Sequence, residues 1–132
     1  MTINVKTHQK CEMVDITNEV KRCVMESGIE SGLVLVFAPH TTAGIAINEN
    51  ADPDVVRDFL FALERAVPNT GFDHAEGNSD AHAKAVLTGA SVNVIVEDSR
   101  LALGTWQGIY FCEYDGPRLR DVYIKTIKNE DK

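Results

Sequence analysis

The stretch GLVLVFAPHTTAG, residues 32–44, decides how the rest of the chain is read. Leu33 to Ala38 form an unbroken apolar run, the pattern of a strand covered on both faces. The run stops at Pro39-His40-Thr41-Thr42, and apolar sequence resumes at once in GIAIN, residues 44–48. The expectation is a strand over 33–38 with residues 43–48 returning as its hairpin partner. Proline fixes the backbone just before His40. A histidine and two hydroxyls at the end of a rigid element are held in place better than on a long loop. His40 is therefore a candidate site residue.

Outward from this stretch, Ile3, Val5 and Thr7 alternate with polar residues, as in a half-exposed strand, and His8 falls on its polar side. Residues 11–16 alternate as well. Thr17 is placed to cap a helix carrying Val20, Cys23 and Val24 and stopped by Gly28. Asp52-Pro53 starts a second helix, with Val56, Phe59, Leu60, Leu63 and Val67 on one stripe. Ser79 is placed to cap a third, shorter helix that Gly89 closes. Strands are expected at 91–97, 107–114 and 119–127, and the charged tail KNEDK is expected to fray. Runs of strands and helices, rather than regular alternation, predict an α+β fold with a largely antiparallel sheet and three helices.

With 132 residues, the chain suits a single domain over 1–132. No segment nears the roughly 18 consecutive apolar residues of a membrane span, and the polar start MTINVKTHQKCEM lacks the apolar core of a secretory signal. A net charge of −7 argues against broad contact with nucleic acid or an anionic membrane, because such contact needs a basic surface. The three cysteines, Cys11, Cys23 and Cys112, form no Cys-x-x-Cys pair and read as reduced, packed thiols of a cytoplasmic protein.

Three of the four histidines stand in unusual places: His40 after a strand, His74 in a polar loop, and His82 in the first turn of a helix. DHAEGNSDAH, residues 73–82, gathers two of them with three carboxylates. Imidazoles suit zinc and related divalent ions. The spacing matches no zinc signature such as His-Glu-x-x-His, so solvated loop histidines remain the alternative. Thr41, Thr42, Gly44, Arg118 and Arg120 suit an anion such as phosphate. Asn48 and Glu49 precede the second helix, and Glu49 is a candidate acid or base by position. Gln107, beside the single tryptophan Trp106, is a candidate for orienting a ligand.

Three segments then carry a resemblance. HTTAGIAINENADPDV, FDHAEGNSDAHAKAVLTG and LGTWQGIYFCEYDGPRLR resemble the YjbQ-like family, also called the secondary thiamine-phosphate synthase family, over residues 3–127. The resemblance implies a compact α+β homotrimer with a β-sandwich-like core and a pocket near the subunit boundary. It implies that His40, His74 and His82 bind a divalent metal. Zinc is the first expectation, with magnesium or manganese as alternatives. The family's second name implies joining an aminopyrimidine diphosphate to a thiazole phosphate with release of pyrophosphate. The expected assignment is therefore a metal-dependent enzyme acting on a small phosphorylated metabolite. Glu49 and His40 are its catalytic candidates, and Thr41, Thr42, Asn48, Gln107 and Arg118 its substrate-binding candidates. A metal-dependent phosphate-ester hydrolase and a non-catalytic trimer binding a metabolite or partner protein are the alternatives.

Overall fold

In a computed structural model, which describes residues 1–130, strands β1 (Thr2–Lys6) and β2 (Glu12–Asp15) precede helix α1 (Thr17–Ser27). Strands β3 (Gly32–Phe37) and β4 (Ala43–Glu49) follow, then helices α2 (Pro53–Ala66) and α3 (Ser79–Thr88). Strands β5 (Ser91–Glu97), β6 (Arg100–Leu101), β7 (Gln107–Glu113) and β8 (Leu119–Lys128) complete the order. They form a five-stranded sheet, β1-β8-β3-β5-β6, and a three-stranded sheet, β2-β7-β4. All the strand pairings are antiparallel, so the expected α+β class with three helices holds.

The main core lies between the sheets. Val34 and Val36 of β3, Val94 and Val96 of β5, and Val122 and Ile124 of β8 cluster with Ile45 of β4 and with Ile109 and Phe111 of β7. Period-two alternation produces this directly, because every second residue of each strand points inward.

The expected hairpin between residues 33–38 and 43–48 does not form. β3 pairs with β5 and β8, whereas β4 pairs with β7 in the other sheet. Residues 39–42 carry the chain from one layer to the other. Stacking the strands face to face buries Val34 and Ile45 in one core; pairing them side by side would leave both sets on a single surface. Nor is β3 covered on both faces, since Leu33 and Phe37 are 38% and 37% exposed on the outer side. On that side Leu33 neighbours Ile95 and Ile127 across the sheet, and Phe37 neighbours Tyr123. A patch of the outer face of this sheet is therefore apolar and uncovered among the described residues.

Helix caps depart from expectation in two places. Asp52 caps α2 as read, accepting the Asp54 N–H at 2.9 Å behind Pro53. Thr17, by contrast, is the first residue of α1, and Asp15 Oδ1 accepts its N–H at 2.9 Å. The Thr17 hydroxyl instead accepts the Ile109 N–H at 2.8 Å and ties α1 to β7. At α3 the preceding residue is Asn78, whose side chain donates to Asp115 rather than capping the helix. Strand β6 was not visible in the sequence: Asp98 and Ser99 take φ of 51° and 63° and turn the chain back after two residues. At the C-terminus Asn129 is tethered to Ser31 by backbone and side chain, and residues 131–132 of the charged tail lie outside the described residues.

α2 and α3 sit on the far side of the three-stranded sheet, where Val56 and Leu63 pack against a cluster of Ala81, Ala85, Tyr110, Cys112 and Tyr114. None of the α2 residues is fully buried. α2 is linked to α3 by the ion pair between Glu64 and the buried Lys84. Lys84 also faces Asp80, which is itself fully buried and holds Lys10 at 3.0 Å. Burial alone would raise the Asp80 carboxyl, but the hydrogen bond and charge of Lys10 outweigh it and hold the carboxyl below its usual value. The cysteines are free, and burial pushes the Cys112 thiol up to about 12, which suits a packed, unreactive group.

Candidate functional site

Where the chain crosses between the sheets, a polar cleft of about 490 Å³ opens. Four separate stretches wall it. Pro39, His40, Thr41 and Thr42 come from the β3–β4 crossing. His74 and Glu76 come from the loop after α2, and Asn78 and His82 from the start of α3. Asp115, Arg118 and Arg120 come from the β7–β8 turn and the first residues of β8. The cleft thus gathers the three singled-out histidines, both threonines and Arg118 from positions up to 78 residues apart (40 to 118).

His74 and His82 face each other edge to face, with ring centroids 5.5 Å apart. Two imidazoles bound to one tetrahedral zinc through Zn–N bonds of about 2.05 Å would place their centroids about 5.2 Å apart. The pair therefore fits the spacing of a shared ion. His40 lines the same cleft but does not close a cluster: among the described residues no three histidine, cysteine or carboxylate groups stand close enough to hold one ion in this arrangement. The His40 ring packs edge-on against the buried Phe111, centroids 6.2 Å apart. Its Nε2 lies 2.9 Å from the Asp121 carbonyl oxygen and 3.2 Å from the Asp121 amide nitrogen. In one tautomer Nε2–H donates to the carbonyl, and in the other it accepts the amide. Only the first tautomer leaves Nδ1 with a free lone pair for a metal ion; in the second Nδ1 carries the proton and can only donate.

The two arginines differ. Arg118 is about half exposed and leans on Asp115, with Nε donating to the carbonyl at 3.0 Å and Nη2 to Oδ2 at 3.1 Å. Asn78 Nδ2 donates to the same carboxylate oxygen at 3.0 Å. Arg120 is buried on the cleft floor, paired with the fully buried Glu113. Thr41 is exposed, and the buried Thr42 hydroxyl accepts from Arg120 at 2.8 Å, which leaves its own O–H as a donor. Gly44 does permit a close backbone approach, though to Gly89 rather than to an anion: a Cβ there would meet the Gly89 carbonyl at 2.4 Å.

Asn48, Glu49 and Gln107 do not line this cleft. They lie at the far end of the β4–β7 ladder, about 20 Å from the cleft at roughly 3.3 Å per strand residue. There Asn48 accepts the Glu49 N–H, Tyr110 donates to the Glu49 carbonyl at 3.0 Å, and Gln107 accepts the Gly104 N–H. Conversely, Asp115, Glu113 and Asp121 were not singled out from sequence. The signal for Glu113 was available: a carboxylate inside the apolar run GIYFCEY demands a buried cation nearby.

Comparison with known proteins bears on this arrangement. The family model described as "UPF0047 protein YjbQ-like" matches residues 1–129. UPF0047 protein YugU of Bacillus subtilis is 56% identical over 128 residues, covering 96% of this chain and 97% of that one. A UPF0047 protein of Methanocaldococcus jannaschii is 49% identical, covering 93% and 90%. The crystal structure of a YjbQ/UPF0047 family protein from Clostridium acetobutylicum superposes with a TM-score of 0.95 at 55% identity, over 96% of this chain and 99% of that chain. A hypothetical protein of Aeropyrum pernix K1 superposes at 0.93 with 34% identity, covering 98% of both chains. By sequence over nearly its whole length and by fold, the chain belongs to the YjbQ-like UPF0047 family.

Proposed function

We propose that the chain is a metal-dependent enzyme acting on a small phosphorylated metabolite in this cleft. The observation that carries the reading is the convergence of His40, His74 and His82 with Arg118 and Thr41 in one polar cleft. His74 and His82 would hold a divalent ion, with His40 as a further ligand. Imidazole donors favour zinc, ahead of manganese or magnesium. A bound divalent ion would screen the charge of phosphate oxygens and help a phosphate leaving group depart. Arg118, with its guanidinium oriented by Asp115, and the Thr41 hydroxyl would hold phosphate oxygens. The first reaction to test is the one in the family's second name, joining an aminopyrimidine diphosphate to a thiazole phosphate. The expected result is metal-dependent release of pyrophosphate only when both substrates are present. Turnover of one phosphorylated compound alone would favour a hydrolase, and binding without turnover a non-catalytic metabolite-binding role. Failure of zinc-, manganese- and magnesium-loaded protein to bind or turn over either compound would sink the reading.

The same proposal includes a homotrimer. Leu33, Phe37, Ile95, Tyr123 and Ile127 leave an apolar outer sheet face that is not expected to remain solvated in a small protein. Glu49, Asn48 and Gln107 enter the chemistry only if a neighbouring subunit presents them to the cleft. Sedimentation equilibrium of untagged protein should give three times the 14.5 kDa chain mass; a monomer at micromolar concentration rejects it. No helix among the described residues is long and apolar enough to cross a membrane. The three free thiols suit a reducing compartment such as the cytoplasm.

A further inference from the structure

We infer that Thr42 and Arg120 are positioning residues, which fix the 39–42 crossing and thereby set where His40 and Thr41 stand in the cleft. The inference rests on reading the cleft as the functional site. Five residues, 38–42, link β3 to β4, and they form no helix or strand of their own. The segment is instead gripped from β8 at two successive residues. Arg120 Nη2 donates to Thr42 Oγ1 at 2.8 Å and lies 3.4 Å from the Thr42 carbonyl, while the backbone of Asp121 engages His40 Nε2.

Arg120 is itself anchored. Its Nε donates to Glu113 Oε1 at 2.8 Å, and its Nη2 also reaches Glu113 Oε2. Glu113 is held in turn by the Thr7 hydroxyl at 2.8 Å and the Asp115 N–H at 3.0 Å. Arg120 is 4% exposed and Glu113 is fully buried. A planar guanidinium spans a carboxylate and a hydroxyl at once; a lysine ammonium has one nitrogen for both. Arg120 spends Nε and Nη2 on Glu113 and Thr42, and through these bonds it acts on the cleft by way of the crossing segment.

Thr42→Val removes the accepting hydroxyl at nearly constant volume, and Thr42→Ser restores it. Two readings decide the matter: cobalt affinity by absorbance titration, and the NMR signals of the His40 ring and the Asp121 amide. The expected result for Thr42→Val is about a tenfold loss of cobalt affinity, as for partners that orient metal ligands, with displaced His40 and Asp121 signals. Thr42→Ser should recover both. If Thr42→Val is unfolded, Thr42→Ala is read in its place. A folded variant that melts earlier but keeps wild-type cobalt affinity and His40 signals overturns the inference and leaves Thr42 merely structural. Should wild-type protein take up no cobalt, the metal reading fails separately, and unchanged His40 and Asp121 signals would then overturn the positioning role by themselves.

Discussion

Glu113→Ala is expected to destabilise the chain by about 3–5 kcal/mol, the usual cost of removing one partner from a buried ion pair. The substitution leaves the Arg120 guanidinium, only 4% exposed, without its counter-charge, and strips the Asp115 N–H of its acceptor. Against a typical total of about 5–15 kcal/mol, this is a large fraction. The same pair sets an acid limit. Burial alone would raise the Glu113 carboxyl, but hydrogen bonds from Arg120, the Asp115 N–H and Thr7 outweigh it and hold the carboxyl below its usual 4.5. A depressed folded value means the stabilisation is fully present above about 4.5 and is lost as pH falls through the lower folded value. Urea unfolding from pH 7 to 3 should therefore show a lower midpoint for the variant at neutral pH and a shallower acid decline than wild type. A loss below about 1 kcal/mol at pH 7 would mean that the pair contributes little.

His82→Ala and His74→Ala are each expected to lower zinc or cobalt affinity on the order of 100-fold or more, since a lost ligand costs more than the 10–100-fold seen for groups that only orient one. His40→Ala should weaken binding too, through both its Nδ1 and the packing it gives the crossing. His8→Ala is the control, because His8 is exposed and faces Glu12 outside the cleft. All four variants should keep wild-type circular dichroism. Uptake should also fall with falling pH, as protons compete for the imidazoles. Metal per subunit by elemental mass spectrometry, after loading and desalting, is the measurement. Three folded cleft variants that retain wild-type metal content would remove the basis for a metal site.

Much of this arrangement was legible in residue order. Asp52-Pro53 and the stripe that follows located α2, and the alternation of Ile3 with Val5 marked core-facing positions, whereas the unbroken apolar run 33–38 did not separate the buried Val34 and Val36 from the exposed Leu33 and Phe37. Alternation reports which side of a strand is buried but not which strand lies beside it, and for that reason β3 and β4 were wrongly paired. The caps at Thr17 and Ser79 failed because the neighbouring side chains had tertiary partners, Ile109 for Thr17 and Asp115 for Asn78. Asp98-Ser99 lacks the glycine that usually announces two positive-φ residues, so β6 was missed. The cleft was legible in its histidines because unusual residue types stood at element ends. Its floor was legible only in part: Glu113 stands inside an apolar run, but residue order does not say that Arg120 is the cation which the β7–β8 turn brings to it.

The strand order also has a consequence for the timing of biosynthesis. β8 follows β1 and β3 in the chain and lies between them in the sheet. It brings Arg120 to Thr42 and the Asp121 backbone to His40, and the turn before it supplies Arg118. While β8 is still inside the ribosome, β1 and β3 have no strand between them, and the crossing that bears His40 lacks both of its holds. The histidines are thus translated early but assembled late. A chain cut after Pro117 would carry every imidazole of the cleft but lack both holds that β8 places on the crossing, so the arrangement of His40 waits on completion of the sheet.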